Sequence, residues 1–165
     1  MTIRRTTVIL GSVAALSLVL TGAYAVRAVQ SRRYYKIESA EFRRTNVSSM
    51  QGLPTISVTE LQTLLEASAD GEIQLIDVRE PRELAIANLN HLGFQNYPLG
   101  SYEQWESSII DELKPGVPTY VLCHHGIRSA QMTAWLLNQG FTDVTNISGG
   151  IDAWSNQVDT TIPQY

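Results

Sequence analysis

Three short apolar runs, residues 73–78, 119–123 and 144–147, each lead into a segment whose apolar side chains recur at helical spacing. Runs of this length, rich in Ile, Val and Leu and bounded by turn residues, are strands buried on both faces. Strands alternating with helices over about 100 residues restrict the chain to an α/β domain with a mostly parallel central sheet flanked by helices. Ser57 and Glu60 stand at capping-box spacing ahead of Leu61, Leu64 and Leu65, and Gly71 closes that unit. Pro81 is placed to open a helix over residues 82–88, and residues 94–99 read as a short extended segment. Trp105, Ile109 and Leu113 fall at i, i+4 and i+8, which predicts one helix running to Lys114, Pro115 and Gly116. A further helix over residues 129–139, with Met132, Trp135 and Leu136 inward, stops at Gly140. Gly149 and Gly150 turn the chain into a last helix over residues 151–158.

Ahead of this domain the composition changes. Residues 8–26 carry no charge, a span long enough to cross a bilayer's hydrocarbon core as a helix. Arg4 and Arg5 precede it, and Arg27, Arg32 and Arg33 follow. The expected organisation is a basic N-terminus over residues 1–7, a transmembrane anchor over 8–26, a basic and polar linker over 27–52, and the α/β domain over 53–165. The larger positive charge on the C-terminal flank favours a single-pass protein with its domain on the cytoplasmic side. The alternative is a cleaved signal segment, since Ala23-Tyr24-Ala25 has the small-x-small pattern of a cleavage site and would release the domain for export.

Charge and cysteine content exclude several classes. Six of the 12 basic residues lie in the first 36, where there is no acid, leaving six against 16 acidic residues in the rest. A domain so acidic is not built to neutralise phosphates, so nucleic acid is not an expected partner. A hydrophobic content of 44% excludes wholesale disorder. The single cysteine, Cys123, excludes an intramolecular disulfide and any zinc site needing two or more thiolates.

Cys123 ends the second apolar run and is followed by His124, His125, Gly126, Ile127, Arg128 and Ser129, after which a helix begins. Ligands of open α/β sheets bind outside the carboxyl ends of strands. A loop containing Gly126 can turn successive amides inward as an anion nest. The helix dipole and the Arg128 guanidinium add positive potential. All three favour an anionic sulfur, so Cys123 is the candidate nucleophile and Arg128 the candidate anion stabiliser, with a structural salt bridge as the alternative role for Arg128. His124 and His125 are expected to shape the pocket rim. Adjacent side chains rarely point the same way, so no metal is expected there, and nothing calls for an organic cofactor. Ser129 suits either a helix cap or a hydroxyl donor to the sulfur.

The pattern Cys-x-x-Gly-x-Arg resembles the active-site loop of rhodanese-type sulfurtransferases. Four further stretches agree in order: Leu75 to Glu80; Asn96 to Leu99; the helix from Ser129 to Leu137 with Gly140 and Phe141; and Asn146 to Trp154 with its Gly149-Gly150 pair. The loop also resembles that of small, especially cyanobacterial, rhodanese-like proteins. The tail, residues 158–165, is similar to the end of rhodanese domains fused to sulfur-carrier-activating enzymes. One segment departs: residues 88–94 match the family's usual Gly-His-Ile-x-Gly-Ala stretch poorly, which puts a role for His91 in doubt.

The resemblance implies a three-layer rhodanese-like domain in which Cys123 takes a sulfane sulfur from thiosulfate or a persulfide. The sulfur would pass to an external thiol, cyanide or a sulfur-carrier protein. It implies that the amides of His124, His125, Gly126 and Ile127 cradle the persulfide, and that Asp77 and Arg79 form a structural node. A non-catalytic docking module, and a phosphatase or arsenate reductase, are the alternatives. The second is disfavoured by loop length, Cys-x4-Arg where cysteine phosphatases resemble Cys-x5-Arg, and by the absence of a resolving thiol.

Overall fold

The computed structural model describes residues 52–69 and 71–165. The proposed anchor over residues 8–26 and most of the linker lie outside the described residues. Among the described residues, no helix is long and apolar enough to cross a membrane.

Five parallel strands form the sheet: β1 (Thr55–Ile56), β2 (Gln74–Asp77), β3 (Gln95–Asn96), β4 (Thr119–Leu122) and β5 (Val144–Ile147), in the order β1-β5-β4-β2-β3. Among the described residues six α-helices accompany them: α1 (Val58–Ala67), α2 (Pro81–Leu84), α3 (Tyr102–Trp105), α4 (Ile109–Glu112), α5 (Ile127–Asn138) and α6 (Gly150–Gln157). All four residues of β4 are buried, as a continuous apolar run in a sheet covered on both faces requires. Side chains alternate across the sheet. Leu75, Tyr120 and Leu122 pack with Val58, Leu61, Ile151 and Trp154 from α1 and α6. Ile76, Val121 and Cys123 pack on the other face with Trp105, Ile109, Met132 and Leu136 from α3, α4 and α5. On that face Tyr97, Tyr102, Trp105 and Trp135 meet edge-on, with ring centroids 5.0–6.2 Å apart, contacts worth about 0.5–1.5 kcal/mol each beyond the area they bury.

The capping box forms as its spacing predicts: the Glu60 amide donates to Ser57 Oγ at 3.2 Å, and the Ser57 amide donates to Glu60 Oε2 at 2.9 Å. Two helices differ from expectation. The segment through Trp105, Ile109 and Leu113 is two one-turn helices, although all three side chains enter one core cluster. The break falls at Ser107 and Ser108, where the Ser108 hydroxyl donates to the Trp105 carbonyl at 3.2 Å and competes with helical bonding. Pro81 opens α2, but the helix ends at Leu84 and not Asn88. Three residues on, the Ala87 carbonyl accepts from the buried Arg79 guanidinium at 3.0 Å, which draws the chain toward the sheet. The two-residue strand β1 is too short for any periodicity to reveal.

Candidate active site at the carboxyl edge of the sheet

Cys123 follows β4 directly, and β4 lies between β5 and β2. The segments leaving these three strands therefore converge at one edge of the sheet. From β2 come Arg79 and Glu83, from β4 the cysteine loop, and from β5 the start of α6.

The cysteine loop is shaped by α6. The amide of Ile151 donates to the Cys123 carbonyl at 2.9 Å, and that of Asp152 to the His124 carbonyl at 3.2 Å. Two loop carbonyls are thus turned toward α6, leaving the loop's amides free to face the sulfur. Only glycine fits where the two backbones meet. Gly150 has φ +58, and a Cβ there would stand 2.2 Å from the Cys123 oxygen. Gly126, at φ +96, begins α5 in the left-handed region that glycine enters without penalty.

Cys123 is 1% exposed. Its Sγ accepts from the Gly126 amide at 3.0 Å and from the Ser129 hydroxyl at 3.2 Å. These are the two donors to the sulfur among the described residues. The expected amides of His124, His125 and Ile127 lie on the same turn without a hydrogen bond to Sγ, and the Ile127 side chain is exposed. Ser129 resolves in favour of the sulfur. It is fully buried inside the first turn of α5, and the N-cap is Gly126.

Arg128 is held in a two-pronged pair: Nη1 donates to Glu83 Oε2 at 2.7 Å and Nη2 to Glu83 Oε1 at 2.6 Å. The guanidinium's hydrogen bonds hold the Glu83 carboxyl down at about 2, against the opposing effect of burial. Arg128 is correspondingly held protonated above its ordinary value by the same carboxylate. Because the folded value of Glu83 lies below its ordinary 4.5, the pair is complete above that pH and is lost only as pH falls toward about 2. Arg128 also borders a cleft of about 560 Å³ lined by Gly100, Ser101, Glu103, Gln104 and Gln131 among others; that cleft reaches the loop through Arg128 and not through Cys123 itself.

Asp77 and Arg79 form the buried node expected of them. The Asp77 carboxylate accepts from the Arg79 amide at 2.9 Å, from Nε at 3.0 Å and from Nη2 at 2.6 Å. Burial opposes the charge on Arg79, and the hydrogen bonds and charge of Asp77 outweigh it. Neither side chain bonds to Cys123. Arg79 Nη1 donates instead to the Tyr165 hydroxyl at 2.9 Å, and that hydroxyl donates to Glu83 Oε1 at 3.2 Å. Tyr165 and Glu83 are the site residues that sequence reasoning missed. The only signal for Glu83 is its spacing from Glu80, whose amide donates to Glu83 Oε2 at 3.0 Å.

His124 and His125 correct an expectation, because these neighbours do face the same way. Their rings stack at 3.8 Å and 18°, and Tyr165 stacks on the other side of His124 at 4.2 Å and 13°. The ligand atoms of His124, His125 and Asp152 lie within 4.8 Å of one another. Burial, with His125 second, lowers the pKa of His124 below its ordinary value. His91 is exposed and lines a separate groove with Gln62, Trp154 and Asp159.

Residues 60–157 match the family described as the rhodanese-like domain. Over 120 residues the chain is 43% identical to rhodanese-like/PpiC domain-containing protein 12, chloroplastic, of Arabidopsis thaliana, an alignment covering 72% of this chain and 40% of that protein. The chain thus spans less than half the length of that relative. It is 31% identical over 102 residues to thiosulfate sulfurtransferase GlpE of Vibrio cholerae, covering 60% of this chain and 85% of that one. Among solved structures, the human single-domain sulfurtransferase TSTD1 superposes with a TM-score of 0.52 at 26% identity, over 64% of this chain and 98% of that one.

Proposed function

The chain belongs to the rhodanese-like domain family, and from that membership we propose that it is a sulfurtransferase carrying sulfane sulfur on Cys123. The observation that supports this most is the pair of donors aimed at one sulfur: the Gly126 amide at 3.0 Å and the Ser129 hydroxyl at 3.2 Å, on a loop whose carbonyls α6 holds away. A docking module would need neither donor.

In the first half-reaction the Cys123 thiolate attacks the outer sulfur of a donor. With thiosulfate, the new sulfur–sulfur bond forms as the old one breaks, and sulfite leaves with the electron pair. The enzyme keeps a persulfide anion, which the two donors stabilise. In the second, an acceptor takes the outer sulfur and the thiolate returns: cyanide leaves as thiocyanate, and a thiol or a sulfur-carrier protein becomes the persulfide. With one cysteine in the chain, the acceptor comes from outside. Such a relay gives ping-pong kinetics. Initial rates with cyanide as acceptor should give parallel double-reciprocal lines; intersecting lines would contradict a covalent intermediate. Ser129→Ala should slow persulfide formation about ten-fold, the worth of one hydrogen bond to a charged group, with the fold retained. Stopped-flow rates of sulfur loading, beside a melting curve, check this.

On sequence grounds the reading extends to location. Residues 8–26 anchor the domain in a membrane, with the catalytic domain on the cytoplasmic side. The full chain should then stay with membranes after an alkaline wash at its unshortened mass. A soluble product beginning near Ala25 would favour the exported alternative.

A further inference from the structure

Arg128 is the only Lys or Arg in the cysteine loop, and the structure commits it to Glu83. The carboxylate that takes it is itself fixed from two more directions, by the Glu80 amide at 3.0 Å and the Tyr165 hydroxyl at 3.2 Å. Tyr165 is in turn tied to the fully buried Arg79 at 2.9 Å. Glu83 therefore has no free path away from Arg128, and the pair presents no net charge to an incoming donor.

Among the described residues, no other Lys or Arg stands at the cysteine loop to replace the lost cation. Among the described residues there are four Lys and Arg against 13 Asp and Glu. Arg79 is buried against Asp77. Lys114 lies near the start of β2, where its carbonyl and amide bond the Gln74 side chain, at the opposite edge of the sheet from Cys123. Arg82 is exposed and turned about 100° around its helix from Glu83. A dianion approaching the thiolate here meets two neutral donors, in a domain whose described residues carry an excess of acids.

We propose that Glu83 is a specificity-determining residue that, by neutralising Arg128, selects donors whose sulfane sulfur bears at most one negative charge, such as a thiol persulfide, over the thiosulfate dianion. The proposal rests on the sulfurtransferase reading and names the substrate class of that same site. Both donor types load Cys123 by one exchange. The thiolate forms a bond to the sulfane sulfur, and the leaving group departs with the electron pair of the broken bond.

The test compares two donors that differ by one charge and share a sulfonyl-type leaving group: thiosulfate, which releases sulfite, and benzenethiosulfonate, which releases benzenesulfinate. Cyanide is the acceptor, and the full chain is used as wild type, Glu83→Gln and Glu83→Asp. Glu83→Gln should raise kcat/KM for thiosulfate about ten-fold relative to benzenethiosulfonate, chiefly through KM, and added salt should shrink the gain. Glu83→Asp, which keeps the charge, should hold the wild-type donor ratio. A donor ratio unchanged in Glu83→Gln, or both donors falling together, would overturn the proposal and assign Glu83 to positioning alone. Sulfur loading of wild-type Cys123 by benzenethiosulfonate, read by mass, keeps the two failures apart. If loading occurs while the ratio is invariant, only the selectivity falls. If neither donor loads any variant, the sulfurtransferase reading falls and the proposal with it.

Discussion

Gly150→Ala is expected to destabilise the domain by about 2–5 kcal/mol and to take sulfur transfer with it. The added Cβ would lie 2.2 Å from the Cys123 oxygen and 2.3 Å from that of His124. Both are backbone atoms, so no rotamer change relieves the overlap. Relief requires α6 to retreat from the loop, which breaks the bonds from Ile151 and Asp152 that orient the loop carbonyls. Overpacking of a tight site costs about 1–3 kcal/mol, and a left-handed conformation costs a non-glycine residue about 1–2 kcal/mol more. Gly93→Ala is the internal control. Gly93 also has a positive φ, +84, but nothing lies within 4 Å of its Cβ position, so only the backbone penalty applies. Denaturant midpoints of the two variants separate the terms. Equal midpoints would contradict the close approach of α6 to the loop.

Cys123→Ala is expected to abolish turnover completely while leaving a folded domain. No second thiol in the chain can accept sulfur in its place. The cost in stability is moderate, because the Gly126 amide and the Ser129 hydroxyl lose their shared acceptor in a buried setting. Each stranded donor costs about 1–3 kcal/mol unless it finds a new partner. Thiocyanate formation measured beside a circular dichroism melt checks both halves. Turnover above the uncatalysed rate in the folded variant would remove Cys123 from the mechanism.

The strands that place the cysteine were legible because each is a continuous apolar run, the signature of a strand buried on both sides. The loop was legible because its residues are contiguous: Cys123, Gly126 and Ser129 lie within seven positions, and their order alone brings amide, hydroxyl and sulfur together. What escaped was contact between distant positions. Glu83 stands 45 residues before Arg128 and Tyr165 stands 82 after Glu83, and no local periodicity links them. The loop's sequence favoured Arg128 as an anion stabiliser over a structural salt bridge but could not name a partner, and the fold supplies the Glu83 carboxylate. The short helices escaped for a different reason. Trp105, Ile109 and Leu113 do share one buried face, but spacing cannot register the break that Ser107 and Ser108 introduce between them. Nor could it show that His124 and His125 stack, since Tyr165 completes that stack from the far end of the chain.

The most direct measurement of the Cys123 relay is the intact mass of the full chain after exposure to excess thiosulfate or, separately, benzenethiosulfonate. A sulfur carrier gains one sulfur atom per chain, localised to Cys123 by fragmentation and removed by cyanide. No added sulfur from either donor, with Cys123 verified as a free thiol beforehand, would contradict it.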